Sequence, residues 1–206
     1  MLDEEDCHAL RGLYSDDRHF RSRIVMQRHG FGAGEYKYFA NPLPSKIDAL
    51  RHAFYEKLAP VGNDWNRRMG LDRRYPETLD AFLAQCHADN QSRPTPLLLK
   101  YGPGDYNCLH QDVYGKHLFP IQLVILLSDP ATEFEGGELV LTEQRPRMQS
   151  RAEVVPLRMG HGAFFAVNDR PKPGSRGDYR VKMRHGVSRV RSGERFTTGI
   201  IFHDAA

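Results

Sequence analysis

His110 and Asp112 stand two residues apart, where an apolar run from Leu97 to Tyr101 and a Gly/Pro turn give way to LHQDVYG. Side chains two apart in an extended segment point to one face, so the pair can offer an imidazole nitrogen and a carboxylate oxygen to a single ion. A second histidine would complete a two-histidine, one-carboxylate face, which leaves positions open on iron for a substrate and for oxygen. Downstream candidates are His117, His161, His185 and His203. His185 is the best placed: it opens RHGVSRVRSGERFTTGIIF, where two apolar stretches flank Ser192-Gly193 and read as a hairpin.

Arg195 begins the returning stretch, and its same-face neighbours are Thr197, Gly199 and Ile201. A guanidinium binds a carboxylate through two parallel charge-assisted hydrogen bonds, and a hydroxyl beside it adds a third. A metal at one end and this clamp at the other describe a slot for a short dicarboxylate keto acid, which 2-oxoglutarate fits. The expected set is Fe(II), 2-oxoglutarate and O2, with His110, Asp112 and His185 as ligands and Arg195 and Thr197 on the far carboxylate. Tyr101 and Gln122 are further co-substrate candidates, and Asn107 a residue that could orient a ligand. Cys108 shares the face of His110, but with Cys86-His87 it makes no common zinc spacing.

These features together resemble the Fe(II)/2-oxoglutarate oxygenase superfamily: H-x-D, a later histidine followed ten residues on by Arg195, Tyr101 nine residues before His110, and GGEL at Gly136 to Leu139. More closely, GEYKYFANPLP, RPTPLLLKYGPGDYNCLHQDVYG, LTEQRPRMQSR and RHGVSRVRSGERF are similar to a family of prokaryotic oxygenases predicted to act on alkylated nucleic acid. The AlkB-like demethylases carry R-x-N-x-T-x-R after the distal histidine, whereas Arg195 is followed here by FTTGI. The ten-residue spacing, with Val190 and Gly193 inside it, looks more like the prolyl-hydroxylase branch. The resemblance implies oxidative demethylation of alkylated single-stranded DNA or RNA. The rival readings are a prolyl-type or small-molecule hydroxylase and a metal- or keto-acid-binding sensor without turnover.

Leu2 to Tyr14 reads as a short helix and Ile24 to Met26 as a strand. HGFGAGEYKYFANPLP reads as a turn-rich connection, because no Lys-Ser/Thr follows its glycines as a phosphate loop requires. Ser45 and Asp48 suggest a capping box for a helix whose face is Ile47, Leu50, Phe54 and Leu58, ending near Pro60. Another helix is expected over 77–89. Short strands are expected at 97–101, 104–108, 121–127, 138–142, 153–157, 163–167, 180–190 and 195–203. That pattern predicts an α+β fold: a double-stranded β-helix (jelly-roll) core over 94–206, with 1–93 as mainly helical support, in one domain. NDRPKPGSRGDY, 168–179, reads as a loop over the site mouth, and LTEQRPRMQSR offers Gln144, Gln149 and three arginines near substrate.

The 206 residues are 40% hydrophobic, enough to bury a core, and carry no apolar run long enough for a membrane span. An acidic N-terminus, MLDEEDCHAL, and three cysteines without paired spacing suggest a soluble cytoplasmic protein. The net charge is +3, yet residues 170–195 hold nine Lys/Arg against two acids. With the arginines of Arg18 to Arg28, that basic run is the expected track for nucleic-acid phosphates. Tyr36, Tyr38, Trp65, Tyr106 and Tyr114 are the aromatic candidates for stacking on a base.

Overall fold

The structure is a computed structural model and describes residues 2–113 and 115–206. Helix α1 (Glu4–Gly12) is capped by the Asp3 carboxylate, which accepts from the Asp6 amide, and opens on three acids where the helix dipole favours them. Strands β1 (Phe20–Val25), β2 (Gly32–Ala33) and β3 (Glu35–Phe39) precede helices α2 (Ser45–Arg68) and α3 (Leu79–Ala88). Eleven further strands follow: β4 (Leu97–Tyr101), β5 (Tyr106–His110), β6 (Ile121–Leu126), β7 (Phe134–Gly136), β8 (Leu139–Gln144), β9 (Ser150–Val155), β10 (Gly162–Ala166), β11 (Asp169–Gly174), β12 (Gly177–Val187), β13 (Val190–Gly193) and β14 (Arg195–Ile200).

The strands form a major sheet in the order β1-β3-β4-β14-β6-β10 and a minor sheet β2-β5-β12-β8-β9, with β11 on β12 and a small β13-β7 pair apart. Every pairing between named strands is antiparallel. This is the expected jelly-roll architecture, and alternation along the central strands explains how it works. Leu98, Ile121, Leu123, Ile125, Phe196 and Ile200 point outward and pack with Ile47, Tyr55, Leu79 and Phe82 of the helices. Leu97, Leu99, Tyr101, Gln122, Val124, Arg195 and Gly199 face the other way, into a cavity between the sheets. The helical layer is bound by an aromatic cluster in which Tyr55 stacks on Phe82 at 5.5 Å and Phe119 meets Tyr75 edge-on at 4.9 Å. Among the described residues no helix is long and apolar enough to cross a membrane.

Four expectations are corrected. Helix α2 runs through Pro60 to Arg68, because Tyr55, Ala59, Gly62 and Asn66 continue its buried face while the ring of Pro60 and the neighbouring Glu56 lie at the solvent side. The Ser45 capping box does not form: Pro44 holds the cap position and no side chain bonds there. The polar stretch 168–179 is a hairpin rather than a loop, with Pro171 and Pro173 on β11, which pairs only with β12 and so tolerates missing donors. The segment around Ser192-Gly193 does not join a hairpin, since β12 lies in the minor sheet and β14 in the major one, and β13 carries the chain between them. In addition, residues 20–39 supply strands to both sheets besides the helical support.

Candidate metal centre and substrate cavity

Antiparallel pairing of β5 with β12 sets His110 directly opposite His185, and Asp112 lies just beyond the end of β5. The imidazole centroids are 4.1 Å apart. One Asp112 oxygen is 3.5 Å from His110 Nε2 and the other 3.4 Å from His185 Nε2. Ligand atoms from the three residues all lie within 4.8 Å of one another, a span that bonds of about 2 Å to one ion can close with small adjustments. His110 Nδ1 is 2.8 Å from the Cys108 carbonyl, which assigns the proton to Nδ1 and leaves the Nε2 lone pair for a metal.

Charge follows geometry. Burial works against ionised Asp112, but the hydrogen bonds and charges of both histidines hold its carboxyl well below the usual range. Burial pushes His185 down, toward the neutral form a ligand needs. Burial also opposes protonated His110, yet the Asp112 carboxylate outweighs it and the pKa rises. Gln122 extends from β6 into this group, donating to Asp112 Oδ2 at 2.8 Å with its nitrogen 3.2 Å from His185 Nε2. It is buried and sits at the ligands. Phe165 closes the base of the site, its ring 4.6 Å from that of His185. The rival histidines are elsewhere: His117 pairs with Asp89, His161 lies in the turn before β10, and His203 Nδ1 accepts from the Phe119 amide.

Arg195 starts β14 opposite Tyr101 on β4, with its guanidinium carbon 5.5 Å over the Tyr101 ring. Both are sealed from solvent, yet both line the same cavity as the triad. Burial lowers the Arg195 pKa to about 10, still charged at neutral pH, and raises the Tyr101 hydroxyl to about 12. Arg195 Nη1 is buried with no hydrogen-bond partner. Such a cation is costly unless an anion completes it, so the donor set fits a carboxylate-bearing co-substrate. Gly137 makes room: it holds φ +63, and a Cβ there would stand 2.7 Å from Arg195 Cδ. Asn107 Nδ2 lies 3.5 Å from the Tyr101 hydroxyl and lines the cavity. Thr197 is buried one pleat beyond Arg195, outside the cavity lining.

The cavity measures about 750 Å³ and reaches well past the triad. Its walls include Tyr36 and Tyr38, set edge-on at 5.4 Å, and His29 stacked on Phe31 at 5.3 Å. Arg21 and Arg93 close one end. Of the basic run, only His185, Val187 and Arg195 reach the lining. Arg170 and Lys172 instead pair with Glu143, Arg180 bonds the Met69 carbonyl and Arg189 covers Tyr106 at 5.1 Å. The run therefore lies on the minor sheet and its hairpin, mostly off the cavity, and no residue of 168–179 is among the cavity lining. Gln144, Gln149, Arg145, Arg147 and Arg151 also lie off the cavity, and Trp65 packs into the core. Tyr114 lies outside the described residues.

Residues 34–205 match a family model described as an oxygenase catalysing oxidative methylation of damaged DNA. The chain belongs to this oxygenase family. An uncharacterized protein found in two strains of Mycobacterium tuberculosis is 51% identical over 168 residues, covering 82% of this chain and 72% of the relative. Among solved structures, a Pseudomonas putida prolyl-4-hydroxylase superposes with a TM-score of 0.55 at 15% identity, over 97% of this chain and 87% of the other. A 2OG-Fe(II) family oxidoreductase from Burkholderia pseudomallei gives 0.50 at 16% identity, over 98% and 82%. These likenesses confirm the jelly-roll fold. The His-Asp-His face and the sealed arginine give this oxygenase the donor set for Fe(II), 2-oxoglutarate and O2.

Proposed function

We propose that this oxygenase strips alkyl groups oxidatively from bases of damaged nucleic acid. The observation that carries the reading is one continuous cavity that holds the triad, Arg195 with its Nη1 unbonded, and an aromatic wall. Its volume of about 750 Å³ exceeds what a five-carbon keto acid fills, leaving room for a planar substrate. The family description joins oxidation, a methyl group and damaged DNA. Oxygen inserted into a methyl group on nitrogen leads to loss of that carbon.

Bound Fe(II) and 2-oxoglutarate supply the oxidant: O2 is consumed as the keto acid becomes succinate and CO2, and one oxygen atom enters a substrate C–H bond. The chain's share is binding and orientation. His110, Asp112 and His185 hold the metal, and Gln122 fixes the Asp112 carboxylate. Arg195 takes the distal carboxylate of the keto acid, with Tyr101 beneath its guanidinium. Phe165, Leu99 and Leu139 line the cavity and exclude water, while Tyr36, Tyr38 and the His29-Phe31 pair offer faces for a flat ring. Oxygen inserted into an N–CH3 group gives N–CH2OH, which releases formaldehyde and restores N–H.

The test is mass spectrometry of short single-stranded DNA and RNA carrying 1-methyladenine or 3-methylcytosine, incubated with Fe(II), 2-oxoglutarate and ascorbate beside a His110→Ala control. Loss of the mass of one CH2 group, a methyl replaced by hydrogen, is expected with the wild type alone. No change in any oligonucleotide while succinate still forms would reject the nucleic-acid reading. Peptides would then be next, since the ten-residue spacing from His185 to Arg195 favours a side-chain hydroxylase.

A further inference from the structure

Resting on the nucleic-acid reading above, we propose that Arg21 and Arg93 form a backbone-phosphate subsite at the end of the cavity away from Arg195. They would take a phosphate adjoining the base whose alkyl group lies at His110, Asp112 and His185. The basic run 170–195 has no part in it.

Arg21 owes its position to a break in the sheet. The register of β1 against β3 slips between Phe20 and Ser22, which leaves Arg21 as the extra residue of a bulge. Bulges re-aim a side chain that regular alternation would send elsewhere. Here the Arg21 Nε donates to the Pro94 carbonyl at 2.8 Å, and the guanidinium stacks 4.5 Å from the Tyr38 ring centre. Bond and ring hold the side chain where it lines the cavity.

Arg93 stands next to it and lines the same cavity. Burial lowers the Arg21 pKa and the Arg93 charge lowers it further, against the smaller opposing pull of Tyr38 and Asp204. Among the described residues neither arginine has an ion-pair partner, in contrast to Arg170, Lys172, Arg51 and Arg68, which do. Two neighbouring cations on a cavity wall call for an anion between them.

The floor joins this end to the metal. Tyr38 pairs with Leu97, Leu97 with Gly199 and Gly199 with Val124, so one row of inward positions crosses β3, β4, β14 and β6. Three strand spacings, about 14 Å, separate Tyr38 beside Arg21 from Val124, which stands two residues along β6 from Gln122 at the metal ligands. Gly199 keeps the row low, because a Cβ there would come within 2.7 Å of Leu97 Cδ2.

The experiment measures binding by fluorescence anisotropy of a labelled five-nucleotide single strand with one 1-methyladenine. The protein is loaded with Fe(II) and 2-oxoglutarate without oxygen, and salt is varied. Arg21→Gln and Arg93→Gln should each weaken binding about tenfold and flatten the log K against log salt slope by roughly 0.7 per phosphate contact. Lys182→Gln and Arg184→Gln should leave both unchanged. Arg93 is exposed, so its variant stays informative even if Arg21→Gln misfolds. The phosphate-free nucleoside 1-methyladenosine, followed by calorimetry, should bind wild type and variants alike. Unchanged affinity and slope in the two variants would overturn the subsite while leaving the function standing, as would an equal loss with the nucleoside. If the wild type binds no strand yet still turns over 2-oxoglutarate, the nucleic-acid reading fails and takes the subsite with it.

Discussion

Arg195 keeps a full charge in the interior, stacked on Tyr101, with Nη1 donating to nothing. Hydrogen bonds to charged groups are worth about 1.5–3 kcal/mol. Arg195→Gln should therefore raise the 2-oxoglutarate concentration needed for half-maximal succinate formation by roughly 10- to 150-fold. Exchange of His110, Asp112 or His185 for Ala should abolish iron-dependent turnover; full activity in the Asp112 variant would remove the metal assignment. His203 makes a separate prediction about stability. Its Nδ1 accepts from the buried Phe119 amide at 3.2 Å, a role open only to the neutral ring, and burial pushes its pKa down to about 4. A histidine depressed in the folded state stabilises fully above its unfolded value, and that contribution is lost as pH falls through the folded value. The metal-free protein should lose on the order of 2–3 kcal/mol from this residue between about pH 6.5 and pH 4. Urea midpoints at pH 7 and pH 4.5 should differ less in His203→Gln than in the wild type.

At the level of elements, the site rests on two crossings. β5 and β12 carry the ligands on one sheet, and β14 carries Arg195 on the sheet that faces it. Gly137 lets the second crossing close, because only a residue without Cβ clears the Arg195 stem and the nearby Val190 methyl, 2.9 Å from an ideal Cβ. Gly137→Ala should accordingly raise the 2-oxoglutarate requirement several-fold although it touches no ligand, read as KM against kcat. The same elements show what the sequence could and could not disclose. His110, Asp112, His185 and Arg195 were legible because local alternation and spacing mark them, and Gln122 stood out as an amide in an apolar strand. The link from β12 to β14 looked like a hairpin since an apolar-turn-apolar string reads alike whether the chain returns to its own sheet or crosses to the facing one. Arg21 belongs to the Arg18 to Arg28 cluster that the sequence offers as a phosphate track, but nothing local set it apart from its neighbours, and Arg93, His29 and Phe31 carried no local mark. A bulge in β1 brings Arg21 to the cavity, the pairing of β2 with β5 brings the segment of His29 and Phe31, and a bridge to Ala205 places Arg93; all three depend on long-range register. Pro60 misled for the opposite reason: its local veto on helix was overridden by tertiary packing of α2.

Over the whole molecule, the helical layer is tied to the end of the major sheet by charge as well as by apolar packing. Arg51 on α2 donates to the Ile201 carbonyl at 2.9 Å and to Asp204 at 2.7 Å, and His87 on α3 reaches the other Asp204 oxygen at 2.8 Å. Arg51 and Asp204 are both buried, so removing one leaves a charge without its counterpart. Arg51→Ala should cost about 3–5 kcal/mol and lower the melting temperature accordingly, whereas an exposed pair such as Arg67 with Asp64 should cost less than about 1 kcal/mol. The position of β14 has a consequence for how the protein is made. It lies between β4 and β6, and Thr198 Oγ1 bonds the Leu97 carbonyl across 101 positions of chain. A ribosome releases β4 and β6 long before residues 195–200 emerge, so each waits with a bare row of amide and carbonyl groups where its neighbour belongs. During that interval the nascent protein is an open template for foreign strands, and its cavity lacks Arg195 and Gly199. A message cut short before Arg195 would yield an aggregating fragment rather than a weak enzyme.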